Sequence, residues 1–365
     1  MALPVCKVFN FRNFVVISIF LVCHQGSNGF TVPHLIPKLG CSRNFYRSPI
    51  RIICTSATRT RIKSLGQLVM LSKRNENVIS EPRVFEEAVD TDFFKRIVME
   101  VEINDKTLRL ETGQVGRLAG GSVIASLDGS VVYSTACADL ALEREDAADD
   151  FLPFSVHYQE RSSAAGKTSG GYIKRDGKPS DEEILVARII DRSLRPVFPH
   201  GFFREVQLQS WVLSYNTESN VDHLALLSCS AALLASPIPF ETPVAGVCVA
   251  LDADGDFIVN PPREILGHSR LKLFVCGTET AVVMLEGAAD FVNDDKLAAA
   301  VDLGMRIVRS LCGGLRAFAA RALAARGERS MTQLLRPAPD ALYRDMRDRF
   351  AQRLFGGGGS TVQLP

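Results

Sequence analysis

The sequence predicts an α+β fold of mixed β-sheets with helices packed on one side, and three observations predict it. Short runs of alternating apolar and polar residues recur from Arg96 to Tyr158, as half-buried strands require. A later run, 219–236, carries Ala and Leu on nearly every side, which marks a buried helix. Strand runs precede helical runs in each half instead of alternating with them. With 365 residues and 46% hydrophobic content, the chain is long enough for two or three domains and a sizeable core.

The elements follow in order. Arg96–Ile103, the turn pair Asn104-Asp105 and Lys106–Thr112 read as a hairpin. Ser122–Leu127 and Ser130–Ala138 form a second, because the Asp128-Gly129 pair between them suits a type I′ turn. Residues 143–150 are an acidic surface loop. A strand through Phe154–Tyr158 leads into a basic loop and a helix, and Glu205–Ser214 is a further strand. Ser219 and Asp222 open the buried Ala/Leu helix, which Pro237 stops. Pro243–Leu251, Arg270–Cys276 and Thr280–Glu286 are strands, and Asp252–Gly255 turns the first of them back. That turn lacks the later ligand positions of a calcium loop. Glu286, one acid after an apolar strand, reads as a strand-end charge. Asp294–Arg326 is a long helical region.

The N-terminal 80 residues have a different composition. Glu76 is the first acid, and eleven Lys or Arg precede it. Residues 1–30 have a signal-like form: Lys7 and Arg12 precede a ten-residue apolar run, Phe14–Cys23, too short to span a bilayer as a helix. Residues 31–80 are basic and Ser/Thr-containing, as transit peptides are. Together they predict a disordered bipartite leader for a plastid bounded by extra membranes. A single mitochondrial presequence and a misassigned start are the alternatives. No stable membrane insertion is expected. Residues 76–93 read as a polar, acidic bridge to the folded part.

Net charge is +1, which excludes a global field for nucleic acid, so any basic surface must be local. None of the nine cysteines stands in a C-x-x-C pair, which leaves zinc ligation without support. Cys137, Cys229, Cys248 and Cys276 sit in apolar runs and are expected as buried thiols, in keeping with a reducing compartment.

The strongest functional signal is Tyr158–Pro199. Lys167, Gly170, Gly171, Tyr172, Lys174, Arg175 and Lys178 make a glycine-rich basic loop. Ser180 and Glu183 then read as a capping box, with Asp181 and Glu182 at the positive end of the helix. Arg188, Arg192 and Arg195 follow at spacings of four and three on one helix face, and Pro196 ends the run. The cations and the Tyr172 ring are equipment for gripping a single-stranded polyanion. The competing reading is a solvated or salt-bridged helix face, with Asp191 and Glu183 as partners. Ala164-Ala-Gly-Lys-Thr168 is not a P-loop: Arg161 stands where the first glycine belongs, and Ser-Gly-Gly follows instead of a helix.

This run, with Tyr158-Gln-Glu-Arg161, Arg175-Asp-Gly-Lys-Pro-Ser180 and Ala187-Arg-Ile-Ile-Asp-Arg192, resembles the first core domain of the polynucleotide phosphorylase family, of the RNase PH superfamily. The flanks at Leu110–Thr135, Ser219–Val249 and Leu271–Ala289 agree, so the resemblance covers roughly Phe94 to Arg309. It implies an RNase PH-like domain of two lobes, 94–236 and 237–328, followed by the start of a helical linker and a Gly-rich end at 329–365.

The resemblance also implies an activity, 3′–5′ phosphorolysis of RNA to nucleoside diphosphates in organellar RNA decay, with a homotrimeric ring in the full-length protein. Inorganic phosphate would be co-substrate and Mg2+ the cofactor, both bound outside this chain, so no catalytic or metal residue is expected here. The family's aromatic-aromatic-Arg-Arg constriction falls on Tyr172-Ile173-Lys174-Arg175, where Ile173 loses a stacking surface and Lys174 offers a point charge instead of a fork. The RNA-binding expectation is therefore Tyr172, Lys174, Arg175, Lys178, Arg188, Arg192 and Arg195. A non-catalytic RNA-binding or scaffold subunit of an exosome-like ring, and a single-core-domain RNase PH, are the alternatives.

Overall fold

The structure, a computed structural model, describes residues 9–11, 14–20, 78–87, 95–104, 106–139, 151–168, 170, 178–252, 255–327, 331–336 and 340–355. Thirteen strands among these residues form two sheets. They are β1 (Phe9–Phe11), β2 (Phe14–Phe20), β3 (Arg83–Glu87), β4 (Arg96–Ile103), β5 (Lys106–Thr112), β6 (Gly121–Leu127), β7 (Ser130–Ala138), β8 (Phe154–Glu160), β9 (Val206–Ser214), β10 (Ala245–Leu251), β11 (Phe257–Val259), β12 (Leu271–Gly277) and β13 (Val282–Ala289). The helices are α1 (Asp181–Leu194), α2 (Asp222–Leu234), α3 (Arg263–His268), α4 (Asp294–Arg326) and α5 (Asp340–Phe355).

The seven-stranded sheet runs β3-β4-β5-β6-β7-β9-β8 and is antiparallel except at β8–β9, which pair in parallel. The six-stranded sheet runs β1-β2-β13-β12-β10-β11 and is antiparallel throughout. The fold class is the α+β expected. The helices, however, do not simply cover one side of one sheet. α2 touches β6, β7 and β9 as well as β10; α4 touches β10 and β12 as well as β3 and β4; α1 touches β8 and β13. Each of the three thus lies between the sheets. This is why α2 is apolar all round: every residue from His223 to Leu234 is buried. A fully buried leucine contributes about 1.5–3 kcal/mol, and Leu224, Leu226 and Leu233 on α2 are all fully buried.

Close approach demands glycine where α2 meets β6. A Cβ on Gly121 would lie 1.9 Å from the Ala232 carbonyl oxygen. The β6–β7 turn has Asp128 at φ 50° and Gly129 at φ 79°, the two positive values of the expected type I′ turn. Asn104 takes φ 49° in the β4–β5 turn.

Two elements go beyond the sequence reading. Part of the acidic bridge is a strand: β3 pairs along β4, where Val84 packs on the core while Glu87 meets Arg96 and Arg109. The apolar run near the N-terminus, β2, pairs with β13 from Met284 to Ala289. The acidic loop 143–150 lies outside the described residues.

Cys137 corrects an expectation. It is exposed, because it occupies the outward register of β7 opposite Gln207, whereas Cys229, Cys248 and Cys276 are buried as expected. Burial pushes the Cys229 thiol up to about 11 and those of Cys248 and Cys276 up to about 12, so they stay protonated.

Candidate nucleic-acid interface

The basic loop leaves the sheet at the end of β8 and returns at the start of α1. After β8 the chain makes a single 3₁₀ turn, Ser162–Ala165, closed by Gly166 at φ 68°. The Ala164 carbonyl accepts from Tyr215 N–H at 3.0 Å, which ties the turn to the end of β9. Arg161 stands with its guanidinium carbon 5.3 Å from the centre of the Trp211 ring. Among the described residues, the next helix after this turn begins at Asp181.

The capping box forms as the spacing predicts. Ser180 Oγ accepts from Glu183 N–H at 3.2 Å, and Glu183 Oε2 accepts from Ser180 N–H at 2.5 Å. A third bond is not legible in the sequence: Glu183 Oε1 accepts from the backbone N–H of Glu160 at 2.6 Å. One carboxylate therefore clamps both feet of the loop.

The predicted cations are not equivalent. Lys167, Lys178 and Arg188 are exposed. Tyr172, Lys174 and Arg175 lie outside the described residues, within the segment spanned by the clamp. Arg192 is partly buried and engaged with a neighbour. Arg195, at the helix end, is turned inward. Its Nη2 donates to Asp191 Oδ1 and to the Phe154 carbonyl, both at 2.7 Å, and its Nη1 donates to the Leu152 carbonyl at 2.9 Å. Its guanidinium also stands over the rings of Phe151 and Phe154 at 5.4 and 5.3 Å. Arg195 braces α1 to β8, the partner role that the competing sequence reading assigned to Asp191.

Acidic groups bound the other side of the clamp. Tyr158 Oη donates to Glu160 Oε1 at 2.6 Å. Burial, reinforced by Asp222, Glu183 and Glu182, holds the Glu160 carboxyl above its ordinary value, and burial does the same for Asp222. These residues come from β8, α1 and α2, so no local motif announced the cluster. Among the described residues, no group of three or more His, Cys, Asp or Glu is placed to hold a metal ion, and no helix is long and apolar enough to cross a membrane.

Comparison with known proteins gives a consistent picture. The sequence profile of the 3′ exoribonuclease family, domain 1 (RNase PH), matches residues 104–239, and that of domain 2 of the same family matches residues 242–307. A polyribonucleotide nucleotidyltransferase of Protochlamydia amoebophila is 40% identical over 252 residues, 69% of this chain and 35% of that protein. A rice (Oryza sativa subsp. japonica) protein named probable polyribonucleotide nucleotidyltransferase 1, chloroplastic, is 39% identical over 267 residues, 73% of this chain and 29% of that protein. The chain thus spans about a third of the length of these relatives. Among solved structures, rice Rrp46 gives a TM-score of 0.47 at 11% identity, over 68% of this chain and 99% of that one.

Proposed function

Since the chain belongs to the 3′ exoribonuclease (RNase PH) family and is polynucleotide phosphorylase-like, we propose that it is the RNA-gripping first core domain of a 3′–5′ phosphorolytic exoribonuclease working in plastid RNA decay. The observation that carries this reading is the clamped loop. Glu183 holds its two feet together, and exposed Lys167, Lys178 and Arg188 flank the segment that contains Tyr172, Lys174 and Arg175. A loop with fixed ends loses less conformational entropy when it closes on a strand. Cations there would meet phosphates, and Tyr172 would stack on a base.

In this reading the divalent cation and inorganic phosphate act outside this chain, on a second core domain of the full-length protein, and three copies close the ring around the RNA. The word chloroplastic in the name of the rice relative supports the plastid assignment. The domain division at 94–236 and 237–328 follows the same reading.

The test is a pair of variants. Lys174→Ala with Arg175→Ala should weaken single-stranded RNA binding and lower the log–log salt slope by about 0.7 per lost phosphate contact. Tyr172→Ala should weaken binding by roughly 1–3 kcal/mol and leave the slope nearly unchanged. Unaltered affinity and slope in the double variant, with the melting temperature preserved, would remove the RNA-grip assignment. Strong phosphate-dependent release of nucleoside diphosphates from poly(A) by purified residues 80–365 would instead favour a single-core-domain enzyme.

A further inference from the structure

β8 carries the chain from the outer face of the seven-stranded sheet directly into the basic loop, and that face has its own chemistry. On β9 the outward positions are Gln207, Gln209, Trp211 and Leu213, all exposed. Trp211 is the single tryptophan of the chain and is 36% exposed. Indole side chains are highly buried on average, so one left in water on an open sheet calls for an occupant. Tyr133 of β7 and Gln159 of β8 stand directly opposite Trp211, one on each side, and Thr135 and His157 flank Gln209 in the next row.

The charge pattern points to the occupant. Within β7, β8 and β9 no outward position holds an Asp or Glu. Farther along the same face, by contrast, Arg96 and Arg109 are already met by Glu87, Glu100 and Glu111. Of the exposed outward side chains on β7, β8 and β9, Leu213 is the one aliphatic; the rest are amides, an imidazole, a thiol and the indole. Such a surface offers stacking and hydrogen bonds to bases, and it is poorly matched to an apolar protein face. Positive charge borders it where the loop departs. Arg161, the first residue after β8, is exposed, with its guanidinium carbon 5.3 Å from the Trp211 ring centre. Lys167 N–H donates to the Ser162 carbonyl at 3.0 Å, which folds the exposed Lys167 back toward Arg161. An exposed cation–π contact is weaker than a base stacked on an indole. A base can therefore take the ring and release the guanidinium to a phosphate.

We propose that Trp211 is a base-stacking platform for single-stranded RNA, extending the grip of the basic loop onto the outer face of β7, β8 and β9, with Arg161 on the adjacent phosphate. This rests on the RNA reading of the loop and adds a second contact surface to it.

The experiment titrates single-stranded oligoadenylate into the full chain and follows two signals. Anisotropy of fluorescein-labelled oligoadenylate reports binding, and Trp211 emission with unlabelled oligoadenylate reports stacking, undiluted by any other tryptophan. A saturable loss of Trp211 emission is expected, with the midpoint of the binding curve. Inorganic polyphosphate, which has the charge without the bases, should leave the emission unchanged. Trp211→Ala should weaken binding by at least about fivefold at an unaltered log–log salt slope, and Trp211→Phe should recover part of that loss. Arg161→Ala should lower the slope by about 0.7. RNA binding with Trp211 emission unmoved would overturn the proposal and leave the RNA reading of the loop standing, and this readout needs no variant to fold. Absence of RNA binding by the parent chain would remove both. Quenching by polyphosphate as strong as by oligoadenylate, or parent-like affinity in Trp211→Ala, would also overturn the proposal. So would emission that follows protein concentration and not RNA, which would mark this face as a contact between copies of the chain.

Discussion

The carboxylate of Glu183 accepts from the backbone N–H of Glu160 at 2.6 Å while it closes the capping box with Ser180. A residue that a helix-start rule places for local reasons thereby joins α1 to the end of β8, across a loop of nearly twenty residues.

Removing that carboxylate leaves two part-buried backbone N–H groups without their partner. Glu183→Ala should cost about 1–3 kcal/mol, read as a lower urea midpoint with an unchanged m-value. Glu183→Gln keeps one accepting oxygen and should lose clearly less. Equal stability of the alanine variant and the parent chain would show that the clamp is incidental.

Arg188 and Arg195 share a helix stripe and should behave as opposites. Arg195→Ala strands Asp191 and two carbonyls and should destabilise by roughly 2–3 kcal/mol in thermal unfolding. Arg188→Ala, at an exposed position, should leave the melting temperature within about 1–2 °C and reduce the salt dependence of RNA binding instead. A melting loss at Arg188 with no change at Arg195 would reverse the assignment.

Gly121→Ala should destabilise by at least about 1–3 kcal/mol, because its methyl would press on the Ala232 carbonyl and force α2 off β6. Circular dichroism melts of the variant measure this directly. An unshifted melt would mean that the helix–sheet spacing relaxes freely.

Burial lowers the His223 pKa from 6.5 to about 4. Between those values the unfolded chain binds a proton that the folded chain refuses, so this residue makes stability fall as pH drops through that window. Glu160 and Asp222, whose values are raised, act in the opposite sense, because their folded forms take up protons more readily. The comparison must therefore be between parent and His223→Leu. The variant should lose up to about 3 kcal/mol less stability than the parent between pH 7 and pH 4, measured by urea unfolding across that range. Parallel pH profiles would show that His223 titrates normally.

The sequence by itself determined the elements whose signals are local. The Asp128-Gly129 pair set a type I′ turn and the register of β6 against β7. The Ser180/Glu183 spacing placed the start of α1, and the Ala/Leu-rich run 219–236, apolar on nearly every side, announced a buried helix. The acceptance of Phe14–Phe20 along β13, the strand at Arg83–Glu87 and the exposure of Cys137 were decided by tertiary pairing, which no window of neighbouring residues contains. The same holds for the candidate site. Spacing put Arg188, Arg192 and Arg195 on one stripe, but the neighbours that β8 delivers turned Arg195 inward to Asp191 and the Leu152 and Phe154 carbonyls and left Arg188 in solvent. Charge and periodicity are properties of the chain. Which cation is free to meet a polyanion depends on desolvation and on partners that only packing brings within reach.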